Sequence, residues 1–417
     1  MVFVAAQAPH LQAQGSAGPP LLLFSTSDVA DLAAAPAEVH AQFNHIRGRR
    51  ETAAVRAVSI ANFAAAVHAA TIRLELDGRT IIVDRDVQER TDEGKDSKEF
   101  WEGTSVNGDE LGLLFWQGRL SGRLLTQDKY YKIQRLKGSL FALIEIKQLD
   151  TSLGCDTPEG GRGEATVQRG AYAPGSLLES VGVSKSSSTQ QYTRVLVVYT
   201  DAALDAFVVL ENLTDGVAWA FWDIDKAFDE TDAYTRPKHV GTEWISFDEP
   251  ASWDSSSVIW EGELPDFDDE IFELREQYTA DIVMLILEDE TSVPCCRGSA
   301  RTADVTDIND AIIYVDVPYV DSPRYYSTVH EVGHMFGAYH TDGYRIKSAV
   351  NSSDVRKVCF DDPPHNTLQR DTETLMRNVS GSYEGRVRYF SSYETPRVTD
   401  TVGELLRCTK SALFEQV

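Results

Sequence analysis

Short alternating runs of apolar and polar residues dominate the first third of the chain, and glycine-bearing turns separate them. Between two of these runs, Asp77-Gly78 supplies the residue pair typical of a two-residue hairpin turn. The clearest runs are residues 71–76, 79–83, 111–116 and 140–146. We therefore predict a small β-rich domain over residues 21–153.

The last part of the chain alternates apolar strand-like runs with a helical pattern. Residues 194–199, 281–287 and 311–315 are nearly continuous apolar runs, as buried strands are, and Ala202 to about Phe228 is typical of a helix. This order predicts an α/β (α+β) domain with a mixed sheet over residues 191–417.

Two segments lack such patterns. Residues 154–190 are rich in glycine, serine and polar residues, as linkers are, and residues 1–20 are rich in alanine, glutamine, glycine and proline. We interpret the first as a linker between the two domains. The second is interpreted as a disordered lead-in or the remnant of a targeting segment.

Charge and composition narrow the class of protein. Lysine and arginine total 39 against 65 aspartates and glutamates, a formal net charge of −26. This balance disfavours nucleic-acid binding, because lysine and arginine must neutralise phosphates. The hydrophobic fraction of 42% and the aromatic fraction of 10% are typical of a globular protein. Since no run approaches about 18 apolar residues, no membrane span is predicted.

Two acidic runs, residues 223–232 and 266–273, raise the question of calcium. Asp223 and Asp225 begin like a calcium-binding loop, but Phe228 stands where that loop needs glycine. Calcium is therefore the less favoured interpretation. We interpret both runs as solvated faces.

Residues 330–340 read HEVGHMFGAYH and hold three of the chain's nine histidines. On a helix, His330 and His334 project from one face one turn apart, as two ligands of one metal ion must. Gly337 can adopt a positive φ and end the helix sharply, so that His340 returns as a third ligand. Three neutral imidazoles leave the fourth position of a zinc ion open, which is typical of a catalytic site. We predict that these histidines bind one catalytic zinc ion.

Glu331 follows a predicted ligand directly and is placed to accept a proton from water at the open zinc position. Zinc lowers the pKa of such a water towards ~7, so a carboxylate can act as general base at neutral pH. The helix that carries the motif is predicted to be capped by Ser322, to hold Pro323 in its first turn and to continue to Phe336. The alternative is that the histidines are core or surface residues that match by chance, which five fixed positions disfavour.

The pattern HExxHxxGxxH resembles the zinc-binding sequence of the metzincin metalloendopeptidases. A second feature of this family is a turn that places a methionine beneath the zinc ligands. Met376, 36 residues after His340, fits this feature. An ordinary core methionine is the alternative. Asn378 stands where the astacin branch has a tyrosine ligand, and the reprolysin (adamalysin) branch is favoured by the segment YFSS at residues 389–392. In that branch aspartate usually follows the third histidine directly, whereas Thr341 intervenes here.

The resemblance extends to bacterial-type secreted peptidyl-Asp metalloendopeptidases, and it implies a catalytic domain preceded by a prodomain. It implies protein or peptide substrates, which bind as an added strand against an edge strand, here Gly298, Ser299 and Ala300. It also implies a specificity pocket near the Met-turn. An arginine pointing into that pocket would favour an acidic residue in the substrate, although exposed arginines of an acidic protein are usually solvated. The candidates are Arg377, Arg386 and Arg388.

The five cysteines permit more than one interpretation. Cys155 lies just before the catalytic domain, where a prodomain thiolate of this family silences the zinc; it is equally well a bystander or a disulfide partner. The resemblance pairs Cys295 or Cys296 with Cys408, and the other with Cys359. Four or five reduced cysteines in a cytosolic protein are the alternative.

A secreted zinc endopeptidase made as a zymogen, with its own prodomain as intramolecular inhibitor, is the function that these patterns favour. The amino-terminal residues have no basic region and do not complete a signal peptide, and three glycosylation sequons at Asn212, Asn351 and Asn378 add little. One alternative is a catalytically silent secreted binding or adhesion protein that retains a structural zinc, which the presence of Glu331 disfavours. Another is a cytosolic metzincin-like peptidase without a prodomain.

Overall fold

The computed structural model describes residues 19–26, 32–91, 97–126, 129–147, 191–230, 235–249, 265–288, 298–300, 311–323, 326–335, 396–399 and 405–407. Within these ranges the chain divides into two units, Met1–Lys147 and Gln148–Val417. None of the helices in the described ranges is long and apolar enough to cross a membrane.

The first unit is one nine-stranded sheet with two helices. The sheet order is β1-β3-β4-β5-β6-β7-β8-β9-β2, in which β1 pairs with β3 in parallel and every other neighbouring pair is antiparallel. The strands are β1 (Leu21–Ser25), β2 (Thr52–Ser59), β3 (Thr71–Leu76), β4 (Arg79–Arg90), β5 (Lys98–Ser105), β6 (Glu110–Trp116), β7 (Arg119–Leu125), β8 (Tyr130–Lys137) and β9 (Leu140–Ile146). The helices are α1 (Ala37–Gly48) and α2 (Phe63–Ala66), and a 3₁₀ turn covers Leu32–Ala34.

The main apolar cluster of this unit lies on one face of the sheet. The burial of β3 alternates residue by residue, which places Ile72 and Leu74 in the core. The predicted hairpin turn is confirmed, because Asp77 and Gly78 join β3 to β4 with φ values of 53° and 78°. The terminal strands β1 and β2 also contact each other, so the sheet curls around its core.

A buried ion pair crosses β6. Arg123 on β7 donates to Glu102 on β5 at 3.1 Å, and the two side chains are 6% and 15% exposed. Gly112 pairs with both residues and separates them in the sheet. Because glycine has no side chain, the two charged groups can meet above the intervening strand.

The second unit contains a five-stranded mixed sheet. Its order is β11-β10-β12-β14-β13; the first four strands are parallel, and β13 is an antiparallel edge strand. These strands are β10 (Gln191–Tyr199), β11 (Thr235–Trp244), β12 (Ile282–Leu287), β13 (Gly298–Ala300) and β14 (Ile312–Asp316). A separate hairpin joins β15 (Pro396–Thr399) to β16 (Leu405–Arg407). The mixed sheet agrees with the predicted α/β class.

Helices cover both faces of the five-stranded sheet. They are α3 (Asp201–Phe207), α4 (Leu210–Glu230), α5 (Pro265–Tyr278) and α6 (Ser327–Met335). One apolar cluster joins α3, α4 and α6 to one face, and a second joins α5 to the other. All residues of β12 and β14 are buried, which explains their continuous apolar sequences.

The long helix predicted from Ala202 to Phe228 is wrong in one respect, because it is two helices. Val208 has a φ of 73°, which ends α3, and the side-chain amide of Asn212 donates to the carbonyl of Phe207 at 2.9 Å. A positive φ is rare for a β-branched residue, and nothing in a helical apolar pattern indicates it.

The acidic runs, predicted to be solvated faces, differ from that prediction at one acidic residue. The second run lies within α5, and Asp223 of the first run is only 3% exposed on α4. The interpretation of Asp223 as part of a solvated face is therefore wrong: the face of α4 that carries it is covered.

Candidate active site

The candidate site is built on α6, which is buried along its whole described length. All nine residues from Ser327 to Met335 are buried, and the helix packs against β13, β14 and α4. Val329 and Val332 face the apolar cluster beneath the sheet. A helix buried on every side is held in one position by its packing, so the side chains it carries are preorganised.

The helix begins four residues later than predicted, at Ser327 rather than directly after Ser322. A 3₁₀ turn covers Val317–Tyr319, and Tyr326 has a φ of 49°, so the backbone turns sharply before Ser327. Tyr326 donates its N–H to the Ser322 carbonyl at 2.9 Å and accepts the N–H of His330 at 2.9 Å. Ser322 is therefore not the cap of this helix. Its hydroxyl is buried and, among the described residues, has no hydrogen-bond partner.

A side-chain hydrogen bond also ties α6 to the turn before it. The hydroxyl of Thr328, 2% exposed, donates to the Val320 carbonyl at 2.8 Å. Left-handed backbone at a non-glycine residue costs about 1–3 kcal/mol and persists only where surrounding contacts enforce it. The bonds at Tyr326 and Thr328 are such contacts, and together they fix where the helix begins.

His330, Glu331 and His334 form the one group of potential metal ligands found among the described residues. Their candidate ligand atoms lie within 4.8 Å of one another, and each residue is 1% exposed. The two imidazole rings have centroids 4.8 Å apart and planes at 89°. As predicted, the i, i+4 spacing brings both imidazoles together on one helix.

This donor set fits zinc. Imidazole nitrogens are ligands that zinc takes, at about 2.0–2.1 Å, so two ligands of one ion are at most ~4 Å apart. The ligand atoms of His330 and His334 lie within 4.8 Å of each other, which is close to this separation. Burial also fits, since a dry site strengthens the interaction of a cation with its ligands.

Glu331 lies against the edge strand of the sheet. A methyl group added at Gly298 of β13 would stand 2.8 Å from Cγ of Glu331 and 3.0 Å from its Oε1. The carboxylate of Glu331 is therefore beside both the two histidines and the strand predicted to receive substrate. From the sequence, Gly298 is predicted only as part of that strand. Its contact with Glu331 depends on tertiary packing, which no local sequence pattern indicates.

Several predicted site residues lie outside the described residues, and their placement stays a prediction. This holds for the third histidine and the turn before it, the Met-turn, the specificity arginines and every cysteine. They are Gly337, His340, Met376, Arg377, Arg386, Arg388, Cys155, Cys295, Cys296, Cys359 and Cys408.

Comparison with known proteins shows what the segment around this site is similar to. Residues 243–341 match the family described as Metallo-peptidase family M12B Reprolysin-like, a segment that holds β13, β14 and α6. The resemblance predicted from the sequence is thereby confirmed for this segment, which is similar to reprolysin-like metallopeptidases.

The chain is also similar to the Peptidyl-Asp metalloendopeptidases of Stenotrophomonas maltophilia strains K279a and R551-3. It is 24% identical to the first over 234 residues, which cover 56% of this chain and 52% of the relative. It is 24% identical to the second over 222 residues, which cover 53% of this chain and 49% of the relative. The match thus spans about half the length of these relatives.

Among solved structures, metalloproteinase-II from Bacteroides fragilis has 12% sequence identity to this chain, with coverage of 66% of this chain and 82% of that one. Its TM-score of 0.41 is too low to bear on the fold or the function.

Proposed function

We propose that the chain is a zinc-dependent endopeptidase that hydrolyses internal peptide bonds of proteins. One observation carries the proposal: two histidines and a glutamate, each 1% exposed, converge on a helix that packs against an antiparallel edge strand. The reprolysin-like match over residues 243–341 supports the same reaction class.

His330 and His334 would hold the zinc, with His340 as the proposed third ligand. When bound, zinc polarises the substrate carbonyl and lowers the pKa of water towards ~7. Glu331 acts as general base: its carboxylate takes the proton of the attacking water and passes it to the leaving amine. The packing of α6 keeps this carboxylate in place and excludes bulk water from it. Met376 would form the apolar floor beneath the ligands.

Substrate would add a strand to the sheet at Gly298, Ser299 and Ala300. This strand is at the edge of the sheet and pairs only with β14 among the described strands, so its outer side is the place where an extended peptide can pair. Main-chain pairing of this kind holds a peptide without regard to most of its side chains, which suits an enzyme acting on proteins.

The relatives are named for cleavage at aspartate, and we propose an acidic preference for this chain as well. Arg377, Arg386 and Arg388 follow the predicted Met-turn and are the candidate partners of an acidic side chain. Cleavage of a peptide library and sequencing of the new amino termini tests this preference. A spread of cleavage sites without aspartate or glutamate would contradict it.

We further propose that the first unit is a prodomain and that the enzyme is secreted as a zymogen. Cys155 is the candidate thiolate that silences the zinc, and the other four cysteines are candidates for two disulfides. We propose secretion because of the similarity to the peptidyl-Asp enzymes. Glycosylation at the sequons is proposed as well.

Casein hydrolysis after limited trypsin treatment tests the enzymatic proposal. The parent is compared with Glu331→Ala, and with Glu211→Ala, an exposed position at the start of α4, as the matched control. We expect hydrolysis by the parent and the control and its loss in Glu331→Ala, since a general base contributes about 10²–10⁴-fold. Equal inactivity of all three, with zinc bound, would contradict the proposal and favour a zinc-retaining binding protein.

A further inference from the structure

Gly298 lies where the edge strand meets the proposed general base. β13 pairs antiparallel with β14, so that Gly298 is opposite Val315 and Ala300 is opposite Ile313. Ala300, Val315 and Ile313 belong to the apolar cluster that also contains Val329 and Val332 of α6. Since residues two apart share a face of a strand, Gly298 faces α6 as Ala300 does.

A side chain at Gly298 would occupy space that Glu331 already fills. The added Cβ would stand 2.8 Å from Cγ of Glu331, where non-bonded carbon atoms prefer about 3.5–4.0 Å. It would also stand 2.9 Å from the backbone carbonyl oxygen of Tyr314. The carbonyl belongs to the centre of a buried strand, so the strand cannot simply withdraw from the overlap.

Glu331 has little freedom to move aside. It is 1% exposed, its helix is buried over all nine described residues, and His330 and His334 lie on either side of it in sequence. A displaced carboxylate therefore moves within the site itself, towards the imidazoles or away from the reacting water.

We propose that Gly298 is a positioning residue for the carboxylate of Glu331. The missing side chain leaves the space in which the glutamate side chain lies, and this space sets how far the carboxylate stands from the zinc ligands. The inference rests on the proposed role of Glu331 as general base and adds to it a residue 33 positions earlier in the chain. Misplacing a catalytic group by ~1 Å can cost about 10²-fold in rate.

The first test uses stability and needs no activity. Gly298→Ala, Glu331→Ala and the double variant are compared by thermal unfolding after the metal has been removed with a chelator. We expect Gly298→Ala to lower the melting temperature in the parent and to lower it clearly less when Glu331 is already alanine, because the overlap with Cγ is then gone. An equal drop in both backgrounds would overturn the inference, whatever the chain catalyses.

The second test separates positioning from a general loss of structure. In the active parent, Gly298→Ala is expected to lower kcat by about 10–100-fold, with KM within about threefold and zinc content unchanged. Gly241→Ala is the matched control: on β11, at the opposite edge of the sheet, an added Cβ would stand 2.3 Å from the ring of Tyr278. This control is expected to lose stability and keep kcat.

Glu331→Asp completes the second test. The aspartate side chain is one methylene shorter, so its carboxylate stands farther from Gly298 than that of Glu331 does. Adding Gly298→Ala to Glu331→Asp should reduce kcat little further, whereas independent effects would multiply. Parent-like kcat in Gly298→Ala, or fully multiplicative losses in the double variant, would overturn the inference. An inactive parent would instead contradict the proposed function, and the unfolding comparison would still decide the role of Gly298.

Discussion

Val332 lies in the middle of α6, and replacing it tests whether this helix is packed into the core. Its side chain is 0% exposed and belongs to the same apolar cluster as Ile313 and Val315 of β14. Val332→Ala removes two methyl groups, each worth ~0.8 kcal/mol of burial, and the cavity left behind adds ~1 kcal/mol. We expect the free energy of unfolding to fall by about 2–3 kcal/mol.

Two further variants make the result specific. Val332→Thr keeps the shape but buries a hydroxyl, so it should also destabilise, by about 1–3 kcal/mol. Val106→Ala, at a position 95% exposed, should change stability by no more than ~0.5 kcal/mol.

Scanning calorimetry in the presence of a chelator measures all three variants without a contribution from bound metal. The transition of the unit that holds α6 should shift down by about 5–10 °C in Val332→Ala. If this variant unfolds no earlier than Val106→Ala, α6 is not held in the core. Packing of α6 would then not explain why His330 and His334 lie beside the edge strand.

Three other predictions concern stability. Arg123→Met should destabilise the first unit by up to about 3 kcal/mol in urea unfolding, because the largely buried carboxylate of Glu102 loses this partner; adding Glu102→Leu should recover much of the loss. Thr328→Val should lower the free energy of unfolding by about 1 kcal/mol, since the Val320 carbonyl loses a hydrogen bond at 2.8 Å. Burial raises the pKa of Asp281 above its ordinary 3.8, so stability from this group is present below that pH and is lost as pH rises through the raised pKa. Asp281→Asn should therefore flatten the fall in melting temperature as the pH rises above about 4.

Each of these predictions has a result that contradicts it. An Arg123→Met variant as stable as the parent would mean that the pair with Glu102 is not buried. Parent-like unfolding of Thr328→Val would mean that this hydroxyl does not anchor α6. If melting temperatures of Asp281→Asn and the parent run parallel over the whole pH range, burial does not shift the pKa of this carboxyl.

The strands that are buried on both faces were the easiest elements to predict from the sequence. β12 and β14 consist of apolar residues because both faces of the sheet are covered, and such runs are visible in the sequence without knowledge of the fold. β11 could not be predicted from the sequence, because it has no continuous apolar run. It lies at the edge of the sheet and carries charged residues such as Arg236 and Lys238, so its sequence lacks a continuous apolar run.

The helix ends depended on backbone conformations that residue types do not indicate. Val208 and Tyr326 adopt φ values of 73° and 49°, which their side chains disfavour. A capping serine followed by proline favoured Ser322 as the cap of α6, but the helix begins only at Ser327. Local propensity was overridden there by the packing of the helix.

The candidate site was predictable where its residues are neighbours on one helix. His330, Glu331 and His334 lie together because helical spacing brings positions i and i+4 to one face. The contact of Gly298 with Glu331 could not be predicted in this way. It links a strand to a helix, and it exists only because β13 is the antiparallel edge strand against which α6 packs.

A zinc titration tests the central claim most directly. The metal-stripped parent, activated by limited proteolysis, is titrated with zinc while bound metal and cleavage of a fluorogenic peptide are followed together. We predict that cleavage rises in proportion to bound zinc and reaches a plateau at about one ion per chain. In His334→Ala, both zinc binding and cleavage should be lost. Cleavage that persists without zinc, or a His334→Ala variant that binds zinc and cleaves as the parent does, would contradict it.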